Sequence, residues 1–247
     1  GHKVVPYCPR CGTALSSHEV AQGYKDVKET SAIAKFKVAD QENTYFLAWT
    51  TTPWTLPSNV ILSVNAKETY AKAKYEDYYV IMAEALMESV LGEGNYEVVE
   101  RMKGGDLEYV KYEPLFDFQP NGEDFKGYFM TCDDYVTLTD GTGIVHTAYA
   151  YGEDDYRVCK KYGVTFYQNV GVNGHLNELA GPFEGLFVKD ADPVILKYME
   201  ENGSLFRALP FEHNYPFCWR CDTPLLYYAR STWFIEMTKL RDRLVAN

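Results

Sequence analysis

The sequence predicts an α+β fold: a mostly antiparallel, barrel-like sheet with peripheral helices, attached to a small cysteine-bearing stem where the two chain ends meet. Three observations predict it. Short segments in which apolar and polar residues alternate recur along the 247 residues, the period of half-buried strands. Helical patterns are few and do not alternate regularly with the strands, which argues against a parallel βαβ sheet. Finally, Cys8-Pro-Arg-Cys11 and Cys218-Trp-Arg-Cys221 stand near opposite ends of the chain. Each pair sits in turn-forming surroundings, and C-x2-C with C-x2-C is the ligand set of a tetrahedral structural zinc. If one ion takes Cys8, Cys11, Cys218 and Cys221, residues 1–27 and 210–247 form the two halves of a zinc-ribbon-like stem around a central domain, 28–209. Two unrelated pairs, or redox thiols, are the competing reading.

The strands follow in order. Ala32 to Ala39 places Ala34, Phe36 and Val38 opposite Lys35 and Lys37, and Thr44 to Ala48 is its expected hairpin partner across Asp40-Gln-Glu-Asn43. Thr69 to Tyr75 and Tyr78 to Ala83 are expected strands, then a short helix from Glu84 to Leu91 closed by Gly92, and a strand from Tyr96 to Arg101. Phe116 to Phe125 reads as a loop, Gly143 to Thr147 as a strand, and Asp154 to Tyr162 as a helix with an acidic first turn and Gly163 beyond its end. A strand from Val164 to Asn169 and a Gly171–Gly174 turn come next. Asp192-Pro193 is expected to open a helix, Asp192 as N-cap, that ends at Asn202-Gly203. An amphipathic segment runs from Thr232 to Val245. Gly1-His2 is expected to be a cloning remnant, and the uncapped end at Asn247 a cut through an element of a parent protein.

Composition narrows the function. With 46% hydrophobic and 15% aromatic residues the chain has material for a core and is not a disordered segment. No apolar run is long enough to cross a bilayer and no signal-peptide pattern is present, so no membrane partner is expected. Paired thiols without a secretion signal point to a cytoplasmic protein that uses them on metal. The net charge of −11, from 24 Lys and Arg against 35 Asp and Glu, disfavours bulk nucleic-acid binding, because phosphate contacts need cations.

Two stretches carry chemistry. In Ala48 to Asn59, AWTTTPWTLPSN, an apolar strand runs into Thr50, Thr51 and Thr52; Pro53 and Pro57 then impose an irregular path bearing three hydroxyls, an indole and the Asn59 amide. Hydroxyls donate and accept, which suits a site that holds a ribose, an ester and a water. By propensity alone, the same threonines are ordinary strand residues. The second stretch, GTGIVHTAYAYGEDDY, delivers His146 at a strand end and Asp155 at a helix start nine residues later, with Gly152 expected to allow a sharp turn. Glu153 and Asp154 are assigned to the helix N-terminus. Cys132 and Cys159 are expected as buried apolar thiols, and His175 as a surface residue.

Taken together, these motifs resemble the editing domain inserted in isoleucyl-tRNA synthetase, a class I enzyme. The resemblance runs from YCPRCGTALSSHEVAQGYKDV (Tyr7 to Val27) through WTTTPWTLPSN and GTGIVH…GEDDY to YPFCWRCDTPLLYYARSTWFI (Tyr215 to Ile235). Valyl and leucyl relatives typically carry Thr-Thr-Arg-Pro at the first motif, which favours the isoleucyl branch over them. The resemblance implies a β-barrel with peripheral helices and hydrolysis of valine misattached to isoleucine tRNA. Asp155 would hold the ammonium of the amino acid, and His146 would line its pocket. Thr50, Thr51, Thr52 and Trp54 would form the facing wall against the terminal adenosine and the ester. Asn59 has no role placed by the resemblance; following the threonine motif, it is a candidate to orient a threonine or the substrate. Where the family usually has His-Thr-Ala-Pro-Ala and then a small ring residue or Phe, this chain has Tyr149 and Tyr151, which changes the pocket's shape. The implied partners are the 3′ end of isoleucine tRNA and the catalytic domain of a parent synthetase, with ATP used only there; a monomer is expected. Signatures of the HIGH and KMSKS type are absent, so the chain itself is not expected to aminoacylate. A non-catalytic, zinc-stapled module that only positions the tRNA end is the alternative of a different class.

Overall fold

The computed structural model describes residues 1–234 and 237–246. In chain order its strands are β1 (His2–Cys8), β2 (Thr13–Ala14), β3 (Tyr24–Lys37), β4 (Thr44–Thr50), β5 (Ile61–Val64), β6 (Thr69–Tyr75), β7 (Tyr78–Ala83), β8 (Tyr96–Lys103), β9 (Met130–Cys132), β10 (Val145–Thr147), β11 (Leu205–Pro216) and β12 (Leu226–Ser231). The helices are α1 (Ser17–Ala21), α2 (Met87–Leu91), α3 (Glu153–Tyr162), α4 (Val188–Glu201) and α5 (Met237–Val245). Ile235 and Glu236, inside the amphipathic segment expected at the C-terminus, and Asn247 lie outside the described residues.

Two sheets result. β12, β1 and β2 form a small one in which the chain ends pair directly, His2 opposite Ser231 and Tyr7 opposite Leu226. The other has nine strands, with a path β8-β6-β7-β4-β10-β5-β9 and with β3 and β11 branching from β4. Most neighbours are antiparallel, but β4 runs parallel to β7 and β10, and β5 parallel to β9. The β3–β4 hairpin forms as expected, with Ala34 opposite Ala48 and Phe36 opposite Phe46. Asp40 and Asn43 take left-handed angles in its turn, which their short polar side chains tolerate.

β4 is the hub. Phe46 and Ala48 face the main core with Phe36, Trp54, Leu62 and Tyr151. Leu47 faces a second core with Ile33, Val80, Met82 and the α2 residues Met87 and Leu91. A strand covered on both faces cannot slip in register without moving a whole apolar set to the wrong side, so its C-terminal end, where the threonines begin, is firmly placed. β10 lies alongside, with Val145 opposite Trp49 and His146 opposite Leu62, so pairing brings the histidine strand next to the threonine strand.

The sequence expectations need three corrections. Val164 to Asn169 is not a strand: the Val164 N–H donates to Cys159 O at the end of α3 and the Thr165 N–H to Lys126 O, so the segment is bonded to loops. Asp192 is not an N-cap, because α4 begins at Val188 and Asp192 lies in its second turn, its carboxylate turned toward another element. The expected Gly152 turn is extended backbone (φ −153°); the glycine is needed for space, since a Cβ there would lie 2.8 Å from Asp155 Cγ.

Candidate functional site

The threonine segment leaves β4 into a short 3-10 helix, Pro53–Ser58, all of it buried. Thr50 and Thr52 lie on the same side, their hydroxyls 3.4 Å apart, and the Thr52 N–H donates to Thr50 Oγ1 at 3.1 Å. Thr51, between them, is half-buried, and its hydroxyl enters none of these bonds. Alternation along an extended chain thus spends two hydroxyls on structure and leaves the middle one available.

His146 is buried, and both its ring nitrogens are taken. Asn59 Nδ2 lies 2.9 Å from Nδ1 and also donates to Ile61 O at 3.0 Å. An amide nitrogen can only donate, so Nδ1 accepts and Nε2 carries the proton. Nε2 donates to Thr55 Oγ1 at 3.0 Å, and the Thr55 hydroxyl donates to Thr52 O at 2.7 Å. Tyr112 donates from its hydroxyl to Asn59 Oδ1 at 2.6 Å and so fixes which way the amide points. Burial pushes the His146 pKa down to about 3. The imidazole is held neutral, in one tautomer and one orientation.

Asp155 sits in the first turn of α3 and reaches back, its Oδ2 accepting from the Ala148 N–H at 2.9 Å, two residues beyond His146. It is half-buried and makes no ion pair among the described residues. Burial first, and then the neighbouring Asp154 charge, push its pKa up to about 7, against the Ala148 bond that lowers it. Asp154, by contrast, is exposed and pairs with Arg157 at 2.9 Å.

The structure thus joins Thr50, Thr52, Asn59 and His146 in one bonded network and anchors Asp155 beside it at Ala148. Trp54 is 3% exposed and packs edge-on against Tyr151 at 5.1 Å, with no partner for its Nε1. Tyr151 donates to Asn169 Oδ1 at 3.2 Å and accepts from the Val170 N–H at 3.0 Å, in the wall behind the threonines. Tyr149 turns to a different cluster, against Tyr156 and Phe166 over α3. The sequence reading missed Thr55 and Tyr112. Thr55 lies inside the quoted motif, whereas Tyr112 carries no local signal.

The four cysteines converge at the other end of the ribbon made by β3 and β11. All four sulfurs lie within 4.8 Å of one another, with Cys8 and Cys11 each 3.5 Å from Cys221 and Cys11 4.0 Å from Cys218. Tetrahedral thiolates at about 2.3 Å from zinc stand roughly 3.7 Å apart, so the set fits that ion. The two knuckles fold alike: the Gly12 N–H donates to Cys8 O and the Asp222 N–H to Cys218 O. The Cys11 N–H also points at Cys8 Sγ at 3.3 Å, as expected around a metal-bound sulfur. Burial pushes the Cys8 thiol up to about 12. Of the two remaining cysteines, Cys159 is buried as expected, while Cys132 is half-buried.

Comparison with known proteins places the chain. A family model for class I tRNA synthetases (I, L, M and V) matches residues 1–247. The chain is 56% identical to isoleucine--tRNA ligase of Clostridium novyi and 57% identical to that of Clostridium acetobutylicum, all of it aligning with 24% of each of those proteins. It spans about a quarter of the length of these relatives. Among solved structures, it resembles GlLeuRS-CP1 (TM-score 0.57, 16% identity, 72% of this chain and 98% of that one). It also resembles the editing domain of the P. knowlesi cytosolic leucyl-tRNA synthetase (TM-score 0.52, 13% identity, 75% and 98%). At these identities the likeness is one of fold.

Proposed function

The chain belongs to the class I tRNA synthetases (I, L, M and V), and on that premise we propose that it is an editing domain that hydrolyses valine wrongly esterified to isoleucine tRNA. The observation that carries this reading is Asp155: a half-buried carboxylate that accepts from the Ala148 N–H, two residues beyond the His146 of the hydroxyl network, with no ion pair among the described residues. Every aminoacyl ester presents a free ammonium, and a charge-assisted hydrogen bond to it is worth about 1.5–3 kcal/mol. Arrival of that cation offsets the burial that raises the Asp155 pKa, so the carboxylate is most strongly ionised when substrate is bound.

The ester itself is labile, so positioning and donors for the developing oxyanion suffice, with water as nucleophile. The Thr51 hydroxyl is free to serve the ester or the water. His146 is no general base in this reading, since both nitrogens are engaged and the ring is neutral far below its ordinary pKa. It is a rigid wall. One methylene distinguishes isoleucine from valine, worth only about 1–3 kcal/mol in binding, and a wall that refuses the larger side chain supplies the second discrimination. The four cysteines would hold one structural zinc, whose chemistry is confined to the stem. The implied partners are the 3′ end of isoleucine tRNA and the catalytic domain of the parent synthetase, where ATP would be used. The identity with isoleucine--tRNA ligases favours this specificity over a valyl or leucyl one.

Deacylation of valyl-tRNA(Ile) tests the proposal. Asp155→Ala should lower the rate by about tenfold to a hundredfold, as loss of the ammonium contact implies, while Asp154→Ala leaves it nearly unchanged. Equal hydrolysis by the two variants would make Asp155 a loop anchor only, and hydrolysis by neither these nor the unaltered protein would favour a module that merely positions the tRNA end.

A further inference from the structure

The 3-10 helix that follows the threonines has an unusual N-terminus. Thr52 occupies the cap position but makes no side-chain capping bond, and Pro53 at the first position has no N–H. The first free donor is therefore the Trp54 N–H, and it donates to Asp192 Oδ1 at 2.7 Å, across 138 residues of chain. Asp192 does not cap its own helix, since α4 starts at Val188. Its carboxylate is half-buried, and it makes no ion pair among the described residues. Lys189, one turn earlier on α4, is the nearest candidate, but it pairs with Glu29 at 2.6 Å, and Glu29 also holds His213 Nε2 at 3.0 Å. A cavity of about 380 Å³ lined by Glu29, Lys189, Asp192, Pro193 and Phe217 adjoins this group.

We infer that Asp192 is a positioning residue: from α4 it caps the 3-10 helix in trans and thereby fixes the threonine segment that faces the substrate. The inference rests on the hydrolytic reading above and extends it to a residue that touches no substrate. The bonding order explains the leverage. Trp54 lies between Thr52, whose carbonyl receives both the Thr55 N–H (2.9 Å) and the Thr55 hydroxyl (2.7 Å), and Thr55 itself, which receives His146 Nε2. Holding the Trp54 N–H orients this turn and sets Thr52 and Thr55 against the imidazole. A helix-end N–H buried without a partner costs free energy unless the turn rotates to find another acceptor. Rotation would move Thr51, which adjoins it. Burial pushes the Asp192 pKa up to about 7 while Lys189 draws it down, so the group is held where only a strong donor justifies it.

Two readouts on the 247-residue protein test this. Amide hydrogen exchange at Trp54 should be at least about tenfold faster in Asp192→Ala, and within about threefold of the unaltered protein in Asp192→Asn, whose side-chain carbonyl still accepts. Valyl-tRNA hydrolysis should follow the same order, with kcat lowered at least about tenfold in Asp192→Ala, KM moving less than about threefold, and Asp192→Asn largely rescued. Asp192→Glu keeps the charge but displaces the oxygen by one methylene. It should behave like Asp192→Ala, and it decides the matter if the alanine variant does not fold. Unchanged protection of Trp54 in the Ala and Glu variants overturns the inference, as does lost protection with unchanged kcat. An unaltered protein that hydrolyses no ester overturns the hydrolytic reading instead, and the exchange result then bears on Asp192 alone.

Discussion

The cysteine stem and the threonine–histidine site solve opposite problems. In the stem, four identical ligands come from two four-residue motifs, and the β1–β12 pairing has only to bring two prefabricated knuckles together. In the site, almost every partner comes from a different segment: Thr55 and Asn59 from the 3-10 turn and its exit, His146 from β10, Tyr112 from a loop, Asp192 from α4. The electrostatics differ as well. The stem gathers four sulfurs within 4.8 Å of one another, close enough to hold one metal ion. The site engages both nitrogens of its histidine, and among the described residues Asp155 has no counter-ion. On the proposed reading, the stem closes its own bonding, whereas the site keeps the Asp155 carboxylate for the substrate's ammonium.

Four experiments test that contrast. The largest effect belongs to the stem. Cys218→Ser, or exhaustive chelation, should drop bound zinc well below one per chain and lower the melting temperature by about 10 °C or more, because structural zinc contributes folding energy outright. Elemental analysis and a thermal scan check it, and an unaltered melt would mean the strands hold the ends without metal. Next is His146→Ala. If the ring is a wall, hydrolysis of isoleucyl-tRNA should rise about tenfold or more while valyl-tRNA hydrolysis is largely kept, with about 1–3 kcal/mol of stability lost as Asn59 and Thr55 each lose one hydrogen bond. A hundredfold fall in both rates would instead make His146 a general base.

A smaller effect separates the threonines. Thr51→Val should slow hydrolysis about tenfold with the melting temperature unchanged, whereas Thr50→Val should cost about 1 kcal/mol, because the Thr52 N–H loses its acceptor. Rates and melts measured side by side decide whether Thr51 is the free hydroxyl. The smallest effect is on pH dependence. Asp155 has its pKa raised from 3.8 to about 7 by burial, so between those values the folded protein holds more protons than the unfolded one. Its carboxyl therefore weakens the fold progressively as pH rises through that window. His146, lowered from 6.5 to about 3, acts in the opposite sense: its contribution is complete above 6.5 and is lost as pH falls toward 3. Asp155→Asn should thus melt about 2–5 °C above the unaltered protein at pH 7.5, with the difference gone near pH 4, while losing hydrolysis. The reverse ordering would mean the carboxylate is stabilising where it stands.

How much of this was legible in the sequence follows the same division. The strands Thr69–Tyr75 and Tyr78–Ala83 fall where alternation puts them, because each lies in the sheet with Ala71, Ala73, Val80 and Met82 directed into a core. β11 escaped notice although its half-buried Phe211, His213 and Tyr215 alternate with exposed Glu212 and Asn214, because Pro210 and Pro216 interrupt the run and demote it as a strand. β5 escaped for another reason, being buried at every position. The cysteine motifs declared themselves by spacing, and Thr50–Thr52, His146 and Asp155 by their joint occurrence. Asp192 was noticed for the wrong reason: Asp-Pro is a helix-start pattern, and only the packing of α4 against the 3-10 turn gives its carboxylate another task. Tyr112 could not be found, since its role depends on a contact with Asn59 across 53 residues of chain.

As an editing domain, this fold would hydrolyse the smaller ester and refuse the larger. Initial rates of deacylation of valyl-tRNA(Ile) and isoleucyl-tRNA(Ile), measured with zinc-loaded protein under identical conditions, test it most directly. Valyl hydrolysis should exceed isoleucyl hydrolysis by about tenfold or more, the selectivity one refused methylene provides. Equal rates for the two esters, or neither exceeding spontaneous hydrolysis, would contradict it.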